Sequence, residues 1–235
     1  MYRARFLLLL LLILSFSVHA EEYPDNISDE KFSTWLWDYL TVGASVTAGA
    51  GGRIITIDVT RQGTNDRGKI LENKENELFL LYSTKASYLG DSNFGFAWLL
   101  NLSTFHLKEQ ELSGGDVVNL GTEVNGVVAS TVPAFFYNIG DRHRGHYLRA
   151  GFGLGVGVAK FDGDIVLTES SILNDRVSIS NGTSNIFTAF GVFIDYQWEN
   201  FALRLSTAGP NLAHNGYDIN VSGTSLVLGY TYYLK

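Results

Sequence analysis

The segment HYLRAGFGLGVGVAKF, running from His146 to Phe161, alternates with a period of two. One set, Leu148, Ala150, Phe152, Leu154, Val156 and Val158, is wholly apolar. The other, Tyr147, Arg149, Gly151, Gly153, Gly155 and Gly157, holds one cation and then only glycines. In an extended chain the two sets point to opposite faces. A soluble sheet turns its large apolar side chains into a core and its polar ones to water. Here the oily face is continuous, while the other carries a charge and empty space. That chemistry suits a strand whose outside meets lipid and whose inside lines a narrow lumen. It predicts an all-β chain: an eight-stranded antiparallel transmembrane up-and-down β-barrel with a short amphipathic helix before it.

The composition agrees. The 235 residues include 15 Phe, 12 Tyr and 25 Gly but only three Pro and one Met, a β-rich balance. Residues 1–20 read as a signal peptide: Arg3 and Arg5, an apolar run from Phe6 to Leu14, then Val18-His19-Ala20 before the expected cleavage. No later stretch approaches the length of a transmembrane helix. With no cysteine, disulfides and thiolate metal sites are excluded. Without Arg3 and Arg5, 15 basic residues face 24 acidic ones, a net charge of about −9 that argues against nucleic acid as a partner.

Residues 21–40 form a polar lead and a helix. Ser28 is a cap, and Phe32, Trp35, Leu36, Tyr39 and Leu40 recur at helical spacing as an interfacial or barrel-capping stripe. The barrel occupies residues 41–235. Strand-like runs are Thr41–Thr60 (with a bulge or bend at Gly51-Gly52), Glu77–Leu89, Asn93–Leu107 and Asn125–Ile139, the last containing Pro133. His146–Phe161, Asn185–Trp198, Phe201–Thr207 and Asp218–Leu234 complete the set. Short links at 90–92, 140–145 and 199–200 alternate with long polar ones at 61–76, 108–124, 162–184 and 208–217, as periplasmic turns alternate with extracellular loops.

In the last strand, Tyr232, Tyr230, Leu228 and Leu226 form one apolar face. This resembles the C-terminal strand of Gram-negative outer-membrane proteins, although the chain ends Leu234-Lys235 where that pattern has an aromatic residue. The layout is similar to OmpA- and OmpW-type eight-stranded barrels. The resemblance implies a cell outer-membrane location, with outer-membrane lipids, lipopolysaccharide and the outer-membrane assembly machinery as partners.

Lys85, Arg149, Asp195 and Arg204 share the inward phase and lie three to five residues from short turns. They are expected as a sheltered charge cluster, with Asp195 bridging the two arginines and Asn101 and Gln197 assisting. Buried charges are normally paired, so the plain reading is a polar plug in a barrel too narrow for a pore; a ligand-binding or gated lumen is the rival. Three cations against one anion leave room for an anionic ligand or a further carboxylate such as Asp58. The glycine column Gly151, Gly153, Gly155 and Gly157 either lets the strand curve and admits bulky neighbours, or leaves space for an acyl chain.

Two enzyme families have an architecture similar to the one expected here. Lipid A palmitoyltransferases also place an amphipathic helix before eight strands, but the first loop here lacks their histidine and the second lacks an adjacent Asp-Ser. Lipid A deacylases carry a His-x-Ser-Asn element; the nearest match, Arg204-Leu205-Ser206-Thr207, has Arg in place of the base. His106, His143, His146 and His214 make no metal pattern, and no cofactor is expected. The leading expectation is a non-enzymatic barrel with a structural or binding role through its extracellular loops, above all 162–184. A narrow channel for small hydrophobic solutes and a lipid A-modifying enzyme are the alternatives.

Overall fold

The computed structural model describes residues 34, 37–63, 67–111, 117–143, 145–167, 175–183, 186–207, 209, 211–214 and 216–234. Its strands are β1 (Ser45–Arg61), β2 (Arg67–Ser83), β3 (Ser87–Tyr88), β4 (Phe94–Glu111), β5 (Val117–Gly140) and β6 (His146–Leu167). They continue as β7 (Asp175–Thr183), β8 (Phe187–Trp198), β9 (Phe201–Thr207), β10 (Asn211–His214) and β11 (Tyr217–Tyr233). The order β1-β2-β4-β5-β6-β8-β9-β11 closes on itself where β11 pairs with β1 from Ser45↔Tyr233 to Arg61↔Tyr217. This is an eight-stranded antiparallel ring. The three short strands lengthen it: β3 pairs with β4 as β2 does, β7 with β6 as β8 does, and β10 with β11 as β9 does. The ring is closed, as a sheet must be to cross a bilayer.

Outward side chains set the depth of the barrel. On β6 the apolar outward run from Leu148 to Val158 covers ten residue steps. At ~3.3 Å per step and a tilt of ~40°, it rises about 25 Å, the height of an outer-membrane hydrocarbon belt. Exposed Leu203, Leu205, Leu226, Leu228, Phe152, Phe190 and Ile194 belong to the same girdle. Aromatic pairs mark the short-turn rim: Phe94–Tyr137, His146–Trp198 and Phe201–Tyr230, with ring centroids 5.1, 6.0 and 5.8 Å apart. That rim is periplasmic by the turn-length asymmetry of such barrels. No helix of the described residues is long and apolar enough to cross a membrane.

Above the girdle the sidedness inverts. Along β11 the outward residues change from Tyr230, Leu228 and Leu226 to Thr224, Ser222, Asn220 and Asp218. The inward ones change from Thr231, Gly229 and Ser225 to Val221 and Ile219. β1 does the same: Thr47, Gly49, Gly51 and Arg53 face inward below, Ile55, Ile57 and Val59 above. Those three join Val124, Val128, Ala159, Phe161, Phe187, Ile219 and Val221 in a buried apolar core. Toward the extracellular end the molecule is therefore built like a water-soluble barrel.

Several expected boundaries change for this reason. The link at 61–76 is largely strand, since β1 and β2 stay paired up to Thr60↔Arg67. The loops expected at 108–124, 162–184 and 208–217 contain the ends of β4 to β6 together with β7 and β10. Gly51 and Gly52 pair in register on both sides without a bulge; the shift against β2 falls between Ile55 and Ile57. A Cβ on Gly51 would lie 2.0 Å from the Leu226 carbonyl oxygen, so close strand approach explains that glycine. Pro133 faces outward opposite Trp98, and the β5–β6 register skips from Thr131 to Ala134 around its missing N–H.

The signal peptide and Phe32, Trp35 and Leu36 of the expected stripe lie outside the described residues. Thr34 and residues 37–41 are helical, with Tyr39 half-buried and Trp37 exposed.

Candidate functional site

Arg149, Asp195 and Arg204 come to one level because β6, β8 and β9 pair Arg149↔Asp195↔Arg204. Only one of the two expected ion pairs forms. Arg204 Nη1 donates to Asp195 Oδ2 at 3.1 Å, and its guanidinium lies 4.8 Å from the Phe193 ring. Asp195 Oδ1 is buried and has no hydrogen-bond partner. Arg149 turns toward the periplasmic rim instead. Its Nε donates to Asn138 Oδ1 at 3.0 Å, and its Nη2 to Tyr88 OH at 3.2 Å and the Arg142 carbonyl at 2.8 Å. The rings of Tyr147 and Phe136 sandwich it, 3.9 and 4.8 Å from the guanidinium carbon. Neutral acceptors and π faces thus satisfy this cation, so Asp195 does not bridge the two arginines.

Gln197 also works nearer the rim. It donates to the Glu199 carbonyl at 2.6 Å and accepts from Thr231 at 3.3 Å, while Thr231 meets Thr47 at 2.9 Å. These bonds tie β8, β11 and β1 together below the charges.

Lys85 is not in the cluster. The chain leaves β2 after Ser83, and the irregular stretch before β3 shifts the alternation by one residue. Thr84 and Ala86 are consequently buried and Lys85 exposed, the face reversal that a one-residue slip produces. Thr84 bridges the break: its N–H donates to the Trp98 carbonyl at 3.0 Å and its hydroxyl accepts from the Trp98 N–H at 2.9 Å.

The glycine column is filled by its neighbours. A Cβ on Gly153 would meet Val132 Cγ1 at 2.3 Å, and one on Gly157 would meet Phe187 Cζ at 2.4 Å. Gly151 and Gly155 lie against β5 backbone, with the Phe135 and Thr131 carbonyl oxygens 2.2 and 2.1 Å from the Cβ positions. Side chains and backbone of the barrel itself, rather than an acyl chain, occupy this space.

A second charge pair lies further up the lumen and was missed from the sequence. Arg53 on β1 forms an ion pair with Glu77 on β2 and reaches Ser103 Oγ on β4 at 3.5 Å. Glu77 is 3% exposed, and its Oε2 is buried without a hydrogen-bond partner. Glu77 does not offset the three expected cations, because it comes with a cation of its own, Arg53. Asp58 does not offset them either, because it alternates with the inward Ile57 and Val59 and so faces outward above the girdle. The signal for Arg53–Glu77 was present in phase only: Arg53 follows Gly49 and Gly51, and Glu77 precedes Phe79 and Leu81 on the inward side.

Glu77 opens onto a cavity of about 100 Å³ lined also by Arg53, Asn101, Ser130, Arg204, Ser206 and Ser225. A smaller one of about 50 Å³ lies below, against Asp195, Arg149 and Gln197. The buried core with Ile57 and Val221 closes this polar middle toward the extracellular end, and a second apolar cluster, Ala97, Leu99, Ala134, Phe136 and Phe193, lines the lower cavity.

Ser206 Oγ lies 3.0 Å from Ser225 Oγ, and Arg204, at the deacylase base position, is engaged with Asp195. That pairing equips no nucleophile. Among the described residues no group of three His, Cys, Asp or Glu is arranged to hold a metal ion.

No family model matches the chain, and no curated protein does. Among solved structures it is similar to Ail, the attachment invasion locus protein of Yersinia pestis, in complex with the heparin analogue sucrose octasulfate. Identity is 17% over 80% of this chain and 97% of that one, with a TM-score of 0.36. Neisserial surface protein A is 12% identical over 81% and 97%, with a TM-score of 0.41. The outer-membrane protease OmpT of Escherichia coli is 9% identical over 81% and 96%, with a TM-score of 0.36. The closed antiparallel wall, its apolar girdle and aromatic rim make this chain a small β-barrel of the outer-membrane type.

Proposed function

We propose that the protein acts at the cell surface, as a structural or binding barrel rather than an open conduit. The observation that carries this reading is the packed interior above the girdle. Ile55, Ile57, Val59, Phe161 and Ile219 are each at most 2% exposed and pack together inside the barrel, which supports an occluded axis. The same packing makes the extracellular extension a rigid stage, and the links above it are where a partner is met. Residues 162–184 remain the preferred contact region, since β6 and β7 form a hairpin there. In this reading residues 1–20 direct export, the assembly machinery inserts the barrel, and lipopolysaccharide surrounds the upper girdle.

The test is conductance. Purified protein in planar bilayers is expected to give no discrete current steps. Steady steps that grow when Phe161 is replaced by Ala would overturn the occluded lumen and favour the channel.

A further inference from the structure

The cavity beside Glu77 is not enclosed on every side. Its lining includes Phe190 and Val192, which belong to the outward, lipid-facing set of β8 and are 58% and 46% exposed. Among the described lining residues, outward-phase positions come only from β8 and β9, so the cavity approaches the hydrocarbon face at this place. The place is where the β8–β9 ladder ends: among the described residues its last pair is Val192↔Thr207. Even there the Val192 N–H is taken by the Thr207 hydroxyl at 3.4 Å.

At the inner end of this passage Glu77 Oε2 is a buried acceptor with no donor, while Oε1 is held by Arg53. Among the described residues Arg53 is paired with Glu77 and Arg204 with Asp195. Neither a cation nor an anion is favoured there. A neutral group that donates a hydrogen bond is. The mouth is apolar and lies within the girdle, so the rest of such a ligand sits among acyl chains.

We propose that this cavity is a binding site for a small lipophilic molecule with one hydroxyl or amide donor, admitted from the bilayer through the β8–β9 seam. The donor meets Glu77 Oε2, and the tail leaves past Phe190 and Val192. The proposal is independent of what the cell-surface end contacts, so the conductance result above leaves it standing.

The test uses the full barrel in lipid nanodiscs, with 7-fluoroheptan-1-ol and its methyl ether as probes followed by fluorine NMR. The alcohol is expected to bind about tenfold tighter than the ether, the discrimination one buried hydrogen bond provides. Ser130→Leu, which fills the cavity from β5, is expected to abolish binding while the barrel keeps its heat-dependent gel mobility. Glu77→Gln turns an amide NH2 toward the cavity once Arg53 claims the oxygen, and is expected to remove the preference for the alcohol. A doxyl label on the lipid chains should broaden the bound fluorine, whereas a water-soluble nickel chelate should not. Equal affinity for alcohol and ether, unaltered binding by the Ser130→Leu variant, or no binding above empty nanodiscs would overturn the site. Broadening by the chelate alone would overturn the lateral route.

Discussion

Asp195 has two carboxylate oxygens, and only the one facing Arg204 is matched. Removing Arg204 strands the other charge as well. Both side chains retain some solvent contact, 16% for Arg204 and 24% for Asp195, so the loss falls below that of a fully buried pair. Arg204→Ala and Asp195→Ala are each expected to cost about 2 kcal/mol, read as a lower urea midpoint for unfolding from lipid. The double variant should lose less than the two single losses combined, because one contact is counted in both. At the periplasmic turn His143 behaves differently. Partial burial, then Lys85, Arg149 and Arg142, hold its pKa below the usual 6.5. The unfolded chain therefore binds this proton more readily than the folded one, so His143 leaves stability intact above about pH 6.5 and erodes it as pH falls through the depressed value. His143→Gln should flatten that acid limb when the urea midpoint is followed from pH 7.5 to 5; an unchanged slope would assign it to another group.

At the scale of a strand, β6 shows why part of the pattern was legible. Its two faces differ so sharply in chemistry, from Leu148 to Val158 against Arg149 to Gly157, that phase alone located lipid and lumen. The same strand shows how the glycines differ from one another. A methyl group on Gly155 would meet β5 backbone, whereas one on Gly153 would meet the end of a Val132 side chain that can turn away. Gly155→Ala is expected to lose about 1–3 kcal/mol and Gly153→Ala less, measured as refolding yield into liposomes. What phase could not supply was its own interruption. The irregular stretch after Ser83 leaves no mark in composition, so Lys85 was assigned to the wrong face. Arg53 and Glu77 belong to adjacent strands 24 positions apart, a separation that carries no local signal.

For the molecule as a whole, the boundary between lipid and water is written as an exchange of faces. Above the girdle the outward residues become polar, so those stretches of sequence read as loops although they are paired strand. With no cysteine in the native chain, single-cysteine spin labels map this directly. Labels at Leu154 and Leu228 should relax with oxygen, and those at Asn125 and Asn220 with a water-soluble nickel complex. Finding all four in one class would remove the proposed boundary. The pairing of β1 with β11 over their full lengths has a temporal corollary. The opening strand made earliest must wait for the one made last, and until residues 217–233 have emerged the cylinder lacks its final stave. Nascent chains of every shorter length keep two raw flanks, so completion of the wall is a late event.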